Sequence, residues 1–234
     1  MAQPKRGSRR LVSIAARLRP GTITRIKPLG RDPEKVILEV DGQFALTLPA
    51  ITVLERGLHA GVELDAAAIS ELATIAEAEQ ATSAALHFVA YRPRSEREVR
   101  DRLRRRGFTA EAVDTALSRM RGWGYIDDSA FAEFWVENRV EHAPRGRRKL
   151  EAELRTKGVE REVVNQAIEH VALRELDDAL ALARKRLPSL HGLDEATQRR
   201  RLSGYLARRG YDWPVVRATL EQLYGAELDE ARDP

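Results

Sequence analysis

The stretch Val99–Leu117, VRDRLRRRGFTAEAVDTAL, runs three arginines into a glycine and restarts at once with a polar, helix-opening segment. Taken alone it is ambiguous. Arg104, Arg105 and Arg106 could form a DNA-binding patch, or they could end a helix, where cations complement the macrodipole before a terminating glycine. The flanks favour a helix end. Ser95 and Glu98 stand at capping-box spacing ahead of the apolar positions Val99 and Leu103, and Gly107 sits where a C′ glycine belongs. Thr109 is then placed to cap a second helix carrying Val113, Leu117 and Met120.

The same unit recurs downstream. Residues 97–120, 148–171 and 200–223 align without a gap: arginine at 97, 148 and 200, leucine at 103, 154 and 206, glycine at 107, 158 and 210, and valine at 113, 164 and 216. Leu117, Ile168 and Leu220 match in kind, as do Met120, Val171 and Leu223. An apolar helical segment precedes each copy, at 81–92, 129–140 and 176–187, with Pro93, Pro144 and Pro188 close behind. Each repeat is therefore a three-helix unit of about 50 residues, too small to be comfortable alone, so neighbouring units are expected to stack. The fold class expected is mainly α: tandem three-helix repeats in an elongated body with room to curve, plus a small N-terminal β element. The expected segments are repeats at 81–127, 128–172 and 173–225, a helical connector at 65–80 and a β-rich element at 20–64. A flexible basic tail at 1–19 and an acidic tail at 226–234 complete the chain. Within the β element, TITRI (22–26), KVILEV (35–40) and QFALTL (43–48) have strand character, and Asp41–Gly42 is a hairpin signal. A short helix around 50–57 should stop at Gly57.

Composition narrows the function. Of the 234 residues 43% are hydrophobic and 32% charged, which suits amphipathic helices with charged outer faces. The net charge of +4 hides strong segregation, with no acid among residues 1–20, no base among residues 61–80, and eight arginines against three acids from 92 to 106. Such basic faces suit a polyanionic partner. The absence of cysteine excludes disulfides and thiolate chemistry. No apolar run approaches the roughly 20 residues of a membrane helix, so a cytoplasmic protein with no membrane contact is expected. His59, His87, His142, His170 and His191 are scattered without metal-ligand spacing, and no phosphate loop or nucleophile elbow occurs. The expectation is a binding protein without cofactor, metal or catalytic residues.

The contact candidates are cations. Arg104, Arg105 and Arg106 have counterparts in Arg155, Lys157, Arg208 and Arg209, and Arg97 and Arg100 lie one or two turns earlier. Each alone is explained by dipole complementarity; together they are denser than that role needs. Arg145, Arg147, Arg148 and Lys149 form the strongest patch, because they open a helix, where the dipole disfavours cations. Trp123, Tyr125, Phe131, Phe134 and Trp135 could stack on bases, but such aromatics more often fill junctions between helices.

Three ordered motifs carry a resemblance. YRPRSEREVRDRLRRRGF (91–108) presents Arg92, Ser95, Glu98 and Val99. GYIDDSAFAEFWVENR (124–139) presents Gly124, Tyr125, Ile126, Asp127, Asp128, Phe131 and Ala132. GRRKLEAELRTKGV (146–159) presents Gly146, Lys149, Leu150, Glu153, Leu154, Lys157 and Gly158. Together they resemble the RecX regulatory proteins of bacteria, closely over 81–172 and more weakly over 173–224. The resemblance implies tandem three-helix repeats. It also implies a protein that binds the RecA recombinase and its filament on single-stranded DNA, and that modulates, chiefly by inhibition, its recombination, ATPase and coprotease activities without chemistry of its own. A monomer with weak direct DNA binding would fit. Two other readings compete with it: a stand-alone nucleic-acid-binding protein using helix-turn-helix-like units, and a scaffold that binds only protein.

Overall fold

The computed structural model describes residues 19–30, 32–170 and 174–225. The basic segment through residue 18 and the acidic segment from 226 lie outside the described residues, as does Val171 of the repeat alignment. The chain folds as two compact units, divided between Asp127 and Asp128.

The first unit opens with strands β1 (Gly21–Leu29), β2 (Asp32–Val40) and β3 (Gln43–Pro49), a short helix α1 (Ala50–Glu55) and a two-residue strand β4 (Glu63–Leu64). All pair antiparallel in the order β3-β2-β1-β4. The Asp41–Gly42 signal makes the β2–β3 turn, with both residues at positive φ (49° and 76°), as a type I′ turn requires. β1 and β2 run further than the alternation suggests, through Pro28 and Pro33. Pro28 lies beyond the two residues of β1 that pair with β4, and Pro33 precedes the point where β3 meets β2 at Lys35, so each stands where its strand has a free edge.

Helix α2 (Ala66–Val89) is one rod of 24 residues, about 36 Å long, and Asp65 caps it by accepting the Ala68 N–H at 2.8 Å. It has no break at residue 80, where the sequence suggests a connector giving way to the first repeat. No glycine or proline interrupts 66–89, and alanine favours a continuous helix. Its first half lays Ile69, Leu72, Ala73 and Ala76 on the sheet beneath Ile23, Leu38, Leu46 and Leu48. Its second half turns Ala78, Ala81, Ala84 and Ala85 toward α3 (Glu96–Arg106) and α4 (Ala110–Gly122), around Val99, Leu103, Val113, Leu117 and Met120. One helix thus serves two cores. Its acidic residues tie them together: the Glu79 carboxylate reaches Lys35 on β2 (3.1 Å) and Arg119 on α4 (3.0 Å). Glu77 accepts the Thr109 N–H at the foot of α4 (2.9 Å).

The second unit holds the other two repeats. One is α5 (Asp128–His142), α6 (Arg147–Thr156) and α7 (Arg161–His170). The other is α8 (Glu175–Arg186), a 3₁₀ turn at Leu187–Leu190, α9 (Glu195–Arg208) and α10 (Trp213–Tyr224). Each buries its own cluster, around Phe131, Leu150, Leu154 and Ile168 in one and Leu202, Leu206, Tyr211 and Leu220 in the other.

Candidate functional site

The three aligned corners have one local geometry. Gly107, Gly158 and Gly210 sit at φ +92°, +86° and +91°, the left-handed conformation that ends a helix at little cost only in glycine. In each, the glycine N–H bonds the carbonyl three residues back, and the next N–H reaches the carbonyl of Leu103, Leu154 or Leu206 (3.4, 3.1 and 3.3 Å). Those leucines are fully buried, and the residues after the glycines, Phe108, Val159 and Tyr211, are buried too. Apolar spacing and a glycine therefore encode the corner locally, and the cations on it are left to face outward.

Their surroundings differ. Arg104, Arg105 and Arg106 are exposed, and among the described residues no carboxylate pairs with any of them. Upstream on α3, exposed Arg97 makes only a loose contact with Asp101 (3.9 Å). Arg100 is committed internally: it binds Glu96 at 2.8 Å and also Asp114, while Arg121 reaches Glu96 at 2.7 Å. Burial alone would raise the Glu96 carboxyl, but the bonds from Arg100 and Arg121 outweigh it and hold Glu96 below its ordinary value. In the second repeat Arg155 is exposed with no ion pair among the described residues, and Lys157 lies over the Trp135 ring at 4.9 Å. In the third, Arg208 is exposed, whereas Arg209 is half-buried, held over Tyr205 at 4.9 Å and donating to the Pro144 carbonyl at 3.5 Å.

The string from Arg145 to Lys149 sits against the third repeat. The Gly146 N–H donates to the Arg209 carbonyl (3.1 Å). A Cβ on Gly146 would fall 2.3 Å from the Gly210 carbonyl oxygen, and one on Gly210 would fall 2.3 Å from Lys149 Cβ, so backbone meets backbone there. Charge at the start of α6 is compensated from elsewhere: Glu175 on α8 accepts the Arg147 N–H at 2.7 Å, placing a carboxylate where the dipole favours one. Arg147 pairs with Glu151 (2.9 Å) and Arg148 with Asp212 (3.6 Å), while Arg145 approaches Glu153 at 4.0 Å. Arg148 and Lys149 are the exposed members. Lys185 and Arg186, which the sequence reading did not single out, end α8 as exposed cations with no carboxylate partner among the described residues.

The motif residues that signal the family hold the fold. Ser95 accepts the Glu98 N–H (3.2 Å) and Glu98 returns the bond to the Ser95 N–H (3.4 Å), completing the capping box, while Arg92 clasps Glu98 at 3.1 Å. Glu153 accepts from Trp135 Nε1 (3.0 Å) and Arg139 Nε (2.8 Å), joining α5 to α6. Phe131 and Trp135 fill the core as expected of junction aromatics; Trp123, Tyr125 and Phe134 do not, with Trp123 and Tyr125 more than half exposed and edge-to-face at 6.4 Å. No group of three or more His, Asp or Glu among the described residues is arranged to hold a metal, and no described helix is long and apolar enough to cross a membrane.

Comparison with known proteins agrees with this architecture. Models of the first, second and third three-helix domains of RecX match residues 81–120, 127–168 and 174–220 in order. The regulatory protein RecX of Amycolatopsis mediterranei is 43% identical over 152 residues, covering 61% of this chain and 86% of that protein. RecX of Bacillus licheniformis is 26% identical over 201 residues, covering 86% of this chain and 76% of that one. A crystal structure of a regulatory protein RecX superposes with a TM-score of 0.71 at 23% identity, covering 83% of this chain and 96% of the other, and shares the fold. With three ordered repeats, each matched by its own domain model, the chain belongs to the RecX family of regulatory proteins.

Proposed function

We propose that this protein binds the RecA recombinase on single-stranded DNA and restrains the filament, acting by binding alone. The observation that carries the reading is the ordered set of three RecX domains, each ending a helix at a glycine corner with outward cations. The open corner at Arg104–Arg106 supports it physically. Three adjacent guanidinium groups with no internal carboxylate exceed what a helix end needs, and they complement either DNA phosphates or an acidic protein face. The carboxylates of Glu98 and Glu153 are bound within the fold by Arg92, Trp135 and Arg139.

The test is titration of purified protein into RecA assembled on single-stranded DNA, with ATP hydrolysis and strand exchange as readouts. Both should fall at stoichiometric ratios. Unchanged rates at excess protein would remove the proposal. Tight binding to one defined duplex site in the absence of RecA would replace it with a helix-turn-helix-like reader.

A further inference from the structure

The sequence after α10 reads AELDEARDP (226–234), with Glu227, Asp229, Glu230 and Asp233 against the single base Arg232. The second unit carries the opposite charge in a concavity. A cleft of about 510 Å³ opens between the residues that follow α5 and the ends of α8 and α9. Arg145, Lys185, Arg186 and Arg209 line it, from three separate chain segments, and no carboxylate is among its lining residues. Among the described residues the four share one carboxylate, that of Glu153, which stands 4.0 Å from Arg145 Nε. Arg100 and Arg121, by contrast, approach each other across Glu96. Cations gathered in one concavity repel one another unless an anion joins them.

The acidic segment leaves the fold within reach of that cleft. Helix α10 ends at Gly225 (φ +90°), and Tyr224 before it is pinned beside the start of α9: its hydroxyl donates to Gln198 Oε1 at 3.0 Å, and the Arg199 guanidinium lies over its ring at 4.9 Å. Tyr205 and Arg209 follow Arg199 along the same helix and its cap, about 9 and 15 Å further in axial rise. Extended backbone covers about 3.3 Å per residue, so the residues from Ala226 to Asp233 span roughly 26 Å, more than that rise. The cleft is also shaped before anything enters it. Tyr205 lies between Arg209 (4.9 Å) and Arg186 (5.9 Å), and Arg209 donates to the Pro144 carbonyl at 3.5 Å, which lowers the entropy lost on binding. Leu182, Ala143 and Pro144 form an apolar wall beside these cations.

We propose that the acidic segment 226–234 docks in this cleft as an internal ligand. Its carboxylates neutralise Arg145, Lys185, Arg186 and Arg209, Leu228 rests on the apolar wall, and an outside polyanion reaches these cations only by displacing it. Exposed ion pairs are individually weak, but a short tether holds the carboxylates at an effective concentration in the millimolar range, so several together keep the cleft occupied. A separate acidic chain has no such advantage. The device goes beyond the proposed function and uses only the chain's own charges. Its test contains neither RecA nor DNA, so the two fail separately.

Carbodiimide, which joins a lysine amine to a carboxylate where the two touch, is applied to the full chain, and the amides are located by peptide mapping. Lys185 should couple to Glu227, Asp229, Glu230 or Asp233 in preference to the other lysines, within one chain, and the coupling should fade as salt rises. Affinity for inorganic polyphosphate is then measured for the full chain and for E227Q/D229N/E230Q/D233N. The variant should bind about tenfold more tightly at low salt, as a cleft left open about a tenth of the time requires. In a K185A/R186A background, where both lost side chains are exposed and the fold is kept, the same four changes should alter affinity little. Couplings spread evenly over the lysines would overturn the proposal. So would couplings between isotope-labelled and unlabelled chains in a mixture, which mark exchange between two copies. Equal affinities in the full chain and E227Q/D229N/E230Q/D233N, or a gain that persists with K185A/R186A, would overturn it as well.

Discussion

The corner at Gly107 and the corner at Gly210 have the same backbone and opposite surroundings. Both glycines sit near φ +90°, both follow paired arginines, and both are succeeded by a buried aromatic, Phe108 or Tyr211. Gly107 is exposed and its arginines face outward unpaired; Gly210 is buried against the start of α6, and Arg209 is drawn in over Tyr205. The repeat thus specifies a shape, and its neighbours decide whether the shape is an open corner or a joint. Gly146 belongs to the joint. Its extended conformation (φ −71°, ψ 161°) suits any residue, and glycine is required there only because the Gly210 backbone lies against it.

The sharpest way to break the comparison is the same substitution at both corners. Gly107→Ala, at an exposed position, carries the left-handed strain and should cost about 1 kcal/mol in chemical denaturation. Gly210→Ala adds a Cβ that the Lys149 backbone has no room for, and should cost roughly 3 kcal/mol or more through strain and overpacking together. Equal costs would show that the α6 contact contributes nothing to stability.

A smaller effect of opposite sign is expected one residue on. The Tyr211 hydroxyl is buried without a hydrogen-bond partner, whereas Phe108 and Val159 place no polar atom at the equivalent position. Tyr211→Phe should therefore stabilise the second unit, by about 1 kcal/mol. Burial, aided by the nearby Asp178 and Glu175, pushes the phenol well above its usual value of 10.0. Because the folded pKa is raised, its contribution to stability is complete below pH 10 and is lost as pH rises from there toward the folded value. Tyr211→Phe should flatten the alkaline decline, read from melting temperatures between neutral pH and pH 11. A steeper decline or a less stable variant would show that the hydroxyl has a partner.

What the sequence made legible was local. Corner glycines, the capping residues Ser95 and Thr109 and the spacing from Leu103 to Val113 act over a few residues, and the fold repeats them three times. The Asp41–Gly42 turn is of the same kind. What escaped depends on partners distant in sequence. Residues 66–80 look like an acidic connector, and only the sheet on one side and α4 on the other show why Glu79 must be acidic. At the start of α6 the missing negative charge comes from Glu175, beyond the helix that follows. Arg100 resembles its neighbours in sequence, yet is bound to Glu96 and Asp114, while Lys185 and Arg186 resemble helix-end cations and line a cleft. Composition identifies the charges, and only packing sorts occupied from available ones.

The open corner gives the most direct measurement of the regulatory account. Inhibition of RecA's ATP hydrolysis on single-stranded DNA is titrated with the full chain and with R104E/R105E/R106E, which should stay folded because all three side chains are exposed, with a melting temperature lowered only by the few tenths to about 1 kcal/mol that each acid costs at a helix end. The account predicts that the reversed corner loses at least roughly tenfold in potency, as reversal of steering and contact charges does at charged interfaces. Undiminished inhibition by a folded R104E/R105E/R106E protein would contradict it.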